Sequence, residues 1–305
     1  MNKSTAGRRV GKGFLADVFA GYLIGVAFII PGFSGGSIAA IVGIYERLIN
    51  AITGIFTDFK KSIKTLLPIG IGLVLGVLSL MKPLELALTW APIPTVSLFV
   101  GLALGGMLSV TDKVKGKVGA ANAFALAIPL LASAGLCFIP TGADIDLFAL
   151  DLGGYAMLFS VGLLASAALV VPGISGSMLL LILGYYNPII KIMTQHLFAF
   201  KDIGQSLAVL GVAGAGIIIG FFIISYVMKW LLKTCPRGTY FAIIGFIVGS
   251  MPSAFVSTAK EAGMTAGNLP TSPWHWVACV LLLILGFVSA WLFVLKAKKL
   301  ADKTE

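Results

Sequence analysis

Charge is scarce in this sequence. Only 11% of its 305 residues are Asp, Glu, Lys or Arg, against 58% hydrophobic residues and a mean hydropathy of +1.03. A water-soluble domain carries about 25% charged residues. With less than half of that, the chain cannot coat a globule with polar surface, and lipid is the expected solvent for most of it. Histidine is scarcer still. His196 and His275 are the only two, which leaves no cluster for a metal centre or a histidine-based lipid phosphatase. The three cysteines, Cys137, Cys235 and Cys279, lack CxxC spacing and read as packing residues, not as a disulfide framework. No GxxxxGK[ST] run occurs, so nothing reads as a P-loop ATPase. No cofactor and no metal are expected.

The charge that is present is mostly basic, at a net +10. In a soluble protein that would point to nucleic acid. In a chain this apolar it points to Lys and Arg held in cytoplasmic loops, and nucleic acid is not an expected partner. Lys3, Arg8, Arg9 and Lys12 precede the first apolar stretch in the manner of a signal peptide. Asp17 interrupts that stretch and no A-x-A site follows, so an uncleaved first segment is expected.

The sequence repeats itself. Residues 31–35 read PGFSG and residues 172–176 read PGISG, an offset of 141. At that offset, without gaps, 11 of 29 positions from Gly21 to Ile49 are identical, including Ile41, Gly43 and Tyr45 with Ile182, Gly184 and Tyr186. A second match follows at offset 144, where Gly72, Gly76, Gly101 and Gly105 meet Gly216, Gly220, Gly245 and Gly249. The expected domains are therefore two repeats, 1–145 and 146–305.

Each half holds five apolar segments, at about 14–30, 34–56, 65–81, 93–111 and 118–139, then 153–171, 175–192, 203–228, 239–256 and 274–295. The first two of each half are joined by Pro-Gly with no polar loop. If each Pro-Gly pair returns to the side it left and both termini are cytoplasmic, 17 basic residues fall inside and 4 outside. That bias predicts loops 57–64, 112–117 and 229–237 inside, and loop 140–151, with three aspartates, outside. Each half then crosses an odd number of times, so the repeats are inverted. The expected fold class is an all-α polytopic membrane protein.

Pro-Gly within apolar sequence breaks a helix. Two geometries fit: a re-entrant hairpin whose tip stops inside the bilayer, or two full spans joined by a surface turn. The tips carry only Gly, Ser, Phe and Ile, without the Asn or Asp of a surface turn, which favours the first. Inverted repeats whose broken helices meet near the midplane are a recurrent transporter plan. On that geometry Ser34 and Ser175 begin the second limbs, and Ser37 and Ser177 follow in the first turn. Their hydroxyls, the free N–H groups of a helix start and the close approach allowed by Gly35, Gly36 and Gly176 would suit an anion, most naturally a phosphate. The alternative is that Ser only caps and Gly only packs.

Glu46 and Arg47, in YERL, are expected about 18–20 Å from the tip along a continuous helix. There Arg47 can snorkel and either pair with Glu46 or help receive a headgroup. Glu46 and Asp17 are the candidates for a coupling proton, because a carboxylate away from water binds protons more readily. Gly-Phe-Ser-Gly-Gly at 32–36 also fits the serine nucleophile elbow. A serine nucleophile needs a base, and the expected topology puts both histidines far from the tip. The chain is not expected to be an enzyme. The intramembrane serine hydrolase and the anion or small-solute channel stand as alternatives.

PGFSGGSIAAIVGIYERLINAI and its second copy VPGISGSMLLLILGYYNPII resemble a bacterial family of polyprenyl-phosphate transporters, formerly a domain of unknown function. The resemblance covers essentially the whole chain. It implies a flippase that moves undecaprenyl phosphate across the cytoplasmic membrane for reuse in cell-envelope synthesis. The lipid tail would stay in the bilayer while the headgroup crosses. The lipid and the membrane are the expected partners, and the oligomeric state is left open.

Overall fold

The computed structural model describes residues 13–29, 34–197, 202–264 and 272–302. The regular structure of these residues is all helical, without a strand. The first half holds α1 (Phe14–Ile29), α2 (Gly35–Ile41), α3 (Tyr45–Thr53), α4 (Phe59–Trp90), α5 (Pro92–Thr111) and α6 (Ala120–Gly135). The second holds α7 (Leu152–Ala165), α8 (Ala167–Val170), α9 (Gly176–Ile182), α10 (Tyr186–Lys191), α11 (Ile203–Thr234), α12 (Pro236–Glu261) and α13 (Pro273–Asp302). Among the described residues, seven stretches are long and apolar enough to cross a membrane. Large apolar side chains lie on their outer faces, among them Leu78, Phe124, Ile218 and Leu281. Water would penalise such faces and lipid does not. The chain is a multi-pass membrane protein.

Two expectations are corrected. Segments 57–64 and 229–237 are mostly helix, not loop. Lys60, Lys61 and Lys64 ride on the first turns of α4, and Lys229 and Lys233 on the last turns of α11. Lysine is a good helix former, and neither Gly nor Pro stops these helices earlier. Each runs for 32 residues, about 48 Å, well beyond the roughly 30 Å hydrocarbon core, so charged ends can project past it.

The second limb of each Pro-Gly pair is also not one helix. α2 and α9 stop after seven residues each. Gly43 (φ +80°) and Gly184 (φ +76°) follow, in the left-handed region that a Cβ disfavours. Ile44 N–H reaches back to Ala39 O and Gly43 N–H to Ala40 O. Tyr185 and Gly184 do the same to Leu180 and Leu181. Both breaks are Schellman caps. A seven-residue helix rises only about 10 Å, so neither limb holds a continuous helix of spanning length. The expected unbroken run from Ser34 to Glu46 does not exist.

The long helices pack through glycine. Gly21 and Gly25 of α1 lie on Ile69 and Leu73 of α4, and Gly72 and Gly76 return the contact on Val18 and Tyr22. A Cβ on Gly21 would stand 2.0 Å from Ile69 O. Gly162 of α7 and Gly216 of α11 bring that pair together in the same way. Close backbone approach between small residues is the main source of helix attraction in lipid, where apolar burial drives little. The fourth apolar segment of each half pairs with the fifth of the other. Gly101 and Gly105 of α5 lie on Leu283 and Phe287 of α13, and Gly245 and Gly249 of α12 lie on Leu126 and Leu130 of α6. One central core consequently takes Ala39, Tyr45 and Val96 from one half and Val170, Ile243 and Ile247 from the other.

Candidate headgroup site where the two tips meet

Helix α8 ends at Val170 because Pro172 cannot continue it. Its last carbonyls therefore lack intrahelical donors. The first half supplies them. Ser34 Oγ donates to Ala168 O at 3.0 Å and lies 3.5 Å from Val171 O. The Tyr45 hydroxyl donates to Val170 O at 2.8 Å. Ser34, Tyr45 and Val170 are all buried. The first motif is thus bonded to the helix that leads into the second: hydroxyls on the second limb of one hairpin cap the first limb of the other.

The serines differ in what they do. Ser34 stands at the N-cap of α2 without capping it, since its hydroxyl is turned to Ala168. Ser175 does cap its own helix, accepting from Met178 N at 3.4 Å. Ser37 is buried in the first turn of α2. The expected space beside the glycines is occupied. A Cβ on Gly36 would meet Val170 O at 3.0 Å, one on Gly35 would meet the Phe28 ring at 2.7 Å, and one on Gly176 would meet Ala168 Cβ at 3.1 Å. These glycines let the tips pack together. Gly173 (φ +83°) fits against the backbone of Phe246 in α12, and its carbonyl accepts from Ser133 Oγ at 3.1 Å. Pro31, Gly32 and Phe33 lie outside the described residues, as does the side chain of Ser177. Ser34 donates its proton to backbone carbonyls, which cannot serve as a general base, so the nucleophile arrangement is not assembled at this serine.

Glu46 and Arg47 do not pair with each other. Arg47 Nη2 binds the carboxylate of Asp17 on α1. Glu46 Oε1 accepts from the Tyr240 hydroxyl of α12 and from Lys113 Nζ at 3.3 Å. Successive residues on a helix point about 100° apart, which sends the two side chains to different neighbours. Glu46 faces an ammonium and a phenol instead of Arg47. The sequence reading missed Tyr45, Tyr240, Lys113 and Arg237. Tyr45 had a signal, since it repeats as Tyr186. Tyr240 had none, since its counterpart at offset 144 is Val96. Lys113 and Arg237 entered only as topology charges.

The comparisons agree with one another. Residues 24–268 match a family model described as undecaprenyl phosphate translocase-like. A polyprenyl-phosphate transporter of Staphylococcus aureus is 31% identical over 283 residues, covering 89% of this chain and 93% of that protein. One of Vibrio cholerae is 25% identical over 329 aligned positions, covering 95% and 98%. No solved structure matches. With most of its length matched by the family model, this chain belongs to the undecaprenyl phosphate translocase-like family.

Proposed function

We propose that this protein is a flippase that moves undecaprenyl phosphate across the cytoplasmic membrane for reuse in envelope synthesis. The observation that carries the reading is the bonding of the two PG-x-SG tips to each other within the bundle, through Ser34, Tyr45 and the end of α8. Irregular backbone with polar groups survives at membrane depth only inside protein or beside a wet cavity. On this reading the repeats are inverted, the Pro-Gly hairpins are re-entrant and both termini are cytoplasmic. The broken second limbs support it, because neither α2 nor α9 is long enough to span by itself. The headgroup is bound by Ser34, Gly35, Gly36, Ser37, Ser175, Gly176 and Ser177, with Arg47 offsetting its charge. Ser34 becomes available only when its bond to Ala168 opens, so passage of the headgroup and separation of the tips are one event. The tail remains in lipid throughout. Without a P-loop motif, movement is passive or gradient-driven, with Glu46 and Asp17 as the acids able to carry a proton.

The test is reconstitution into liposomes with labelled undecaprenyl phosphate in one leaflet. Protein-dependent transfer is expected, weakened about tenfold or more for each of Ser34→Ala and Ser175→Ala, since a hydrogen bond to a charged group is worth about 1.5–3 kcal/mol. Transfer no faster than in empty liposomes overturns the flippase reading. Normal transfer by the double variant removes the serines from the site.

A further inference from the structure

A second polar cluster lies at the first turn of α3, apart from the tip contact. Glu46 Oε1 takes two donors there, Lys113 Nζ at 3.3 Å and the Tyr240 hydroxyl. Lys113 Nζ also stands 5.4 Å from the centroid of the Tyr240 ring. Tyr240 is 6% exposed and fixed in the core, whereas the Glu46 and Lys113 side chains are 45% and 36% exposed. Lys113 is held in place from α12. Arg237, one turn before Tyr240, donates Nη2 to Lys117 O at 2.8 Å and reaches Val114 O at 3.3 Å, which clips the 112–117 turn against that helix. Gly116 makes this fit, at φ +113° beside the guanidinium.

A carboxylate oxygen and a phosphoryl oxygen offer donors the same thing: an anionic oxygen that accepts several hydrogen bonds. Here an ammonium and a phenol hold one carboxylate that belongs to the protein, Glu46. A phosphate monoester, at about −1.5 to −2 near neutral pH, offers the same donors more negative charge. It would have to displace the Glu46 carboxylate to reach them. The Glu46–Lys113 pair is half-exposed, and such pairs exchange readily because water screens them and side-chain entropy opposes them.

We propose that Lys113 and Tyr240 form a phosphate-monoester subsite that Glu46 fills in this state, as a plug that an incoming phosphate group displaces. This rests on the reading that the chain handles a phosphate headgroup, and it adds a docking position at an exposed end, separate from the buried tips. Lipid headgroup and free inorganic phosphate share the chemistry.

The test is equilibrium binding by calorimetry on the purified full-length protein in detergent. The two probes are inorganic phosphate and geranyl phosphate, a short isoprenyl monoester. Glu46→Gln removes the competing charge and keeps the shape. It is expected to bind geranyl phosphate about tenfold more tightly than wild type, the gain of one charge-assisted contact. Adding Lys113→Gln and Tyr240→Phe to Glu46→Gln is expected to abolish the gain. The thermal midpoint of each variant reports whether it is folded. If Glu46→Gln does not fold, Lys113→Gln alone is expected to lower wild-type binding about tenfold, and unchanged binding there overturns the proposal. No gain in Glu46→Gln, or a gain that survives loss of Lys113 and Tyr240, also overturns it. A gain for inorganic phosphate alone overturns the lipid headgroup as the occupant. Binding is read without transport, so failure of the liposome assay and failure of this test are separate results.

Discussion

Replacing Tyr45 by Phe tests the bonding of the two tips directly. The change removes one hydroxyl and leaves the ring, so it opens almost no cavity. The lost hydroxyl is the one that donates to Val170 O at 2.8 Å, between residues that are each 2% exposed. Val170 closes α8, two residues before Pro172, and no following helical N–H can replace the missing donor. A buried carbonyl left without its partner costs about 1–3 kcal/mol, so a loss of about 2 kcal/mol is expected. Ser34→Ala removes the bond to Ala168 O on the same short helix and should cost a similar amount. Once either bond is lost, the end of α8 can shift and the other bond matters less. The double variant should therefore fall short of the sum by at least about 0.5 kcal/mol. The assay is reversible unfolding in mixed micelles titrated with denaturing detergent, for wild type, both single variants and the pair. A loss under about 0.5 kcal/mol for Tyr45→Phe, or strict additivity in the pair, would refute the idea that these hydroxyls tie the halves together.

Gly173→Ala should be far more damaging than Gly70→Ala in the same unfolding assay. At Gly173 a Cβ must adopt φ +83° and would lie 2.3 Å from the Phe246 carbonyl carbon, whereas nothing stands within 4 Å at Gly70. The left-handed backbone alone costs about 1–2 kcal/mol, and equal stabilities would refute the packing argument. Cysteines placed in 140–151 should react with an impermeant thiol reagent from outside and those in 112–117 should not; outside labelling at 112–117 would refute the inverted arrangement. Glu46→Gln removes the charge that holds Lys113 and the Tyr240 hydroxyl, and with it the acid proposed to carry a coupling proton. A pH gradient imposed on proteoliposomes should thus change the transfer rate of wild type and not of Glu46→Gln. Equal insensitivity of both proteins would remove Glu46 from coupling.

The membrane class and the duplication were legible in the sequence because both are properties of composition and spacing. A chain with 11% charge has few other solvents open to it, and an offset of 141 needs no coordinates to detect. The matched pair Gly43 and Gly184 marks the helix breaks, since glycine at equivalent points of two helical limbs is where a left-handed cap fits, but each segment reads as one run because no charged residue stands in 34–44 or 175–185. Partner choice was not legible. Arg47 sits beside Glu46 in sequence yet binds Asp17, because neighbouring helical positions face different elements. Glu46 meets Tyr240 only because α12 packs against the first half. Ser34 gave every sign of a helix cap, and its hydroxyl serves α8 instead. That bond exists because the fold sets a proline-ended helix, with carbonyls lacking donors, against the start of α2. The sequence determined which groups are polar in an apolar chain. Only the tertiary structure decided which of them meet, since in lipid each buried donor and acceptor must be satisfied by whatever the packing brings within reach.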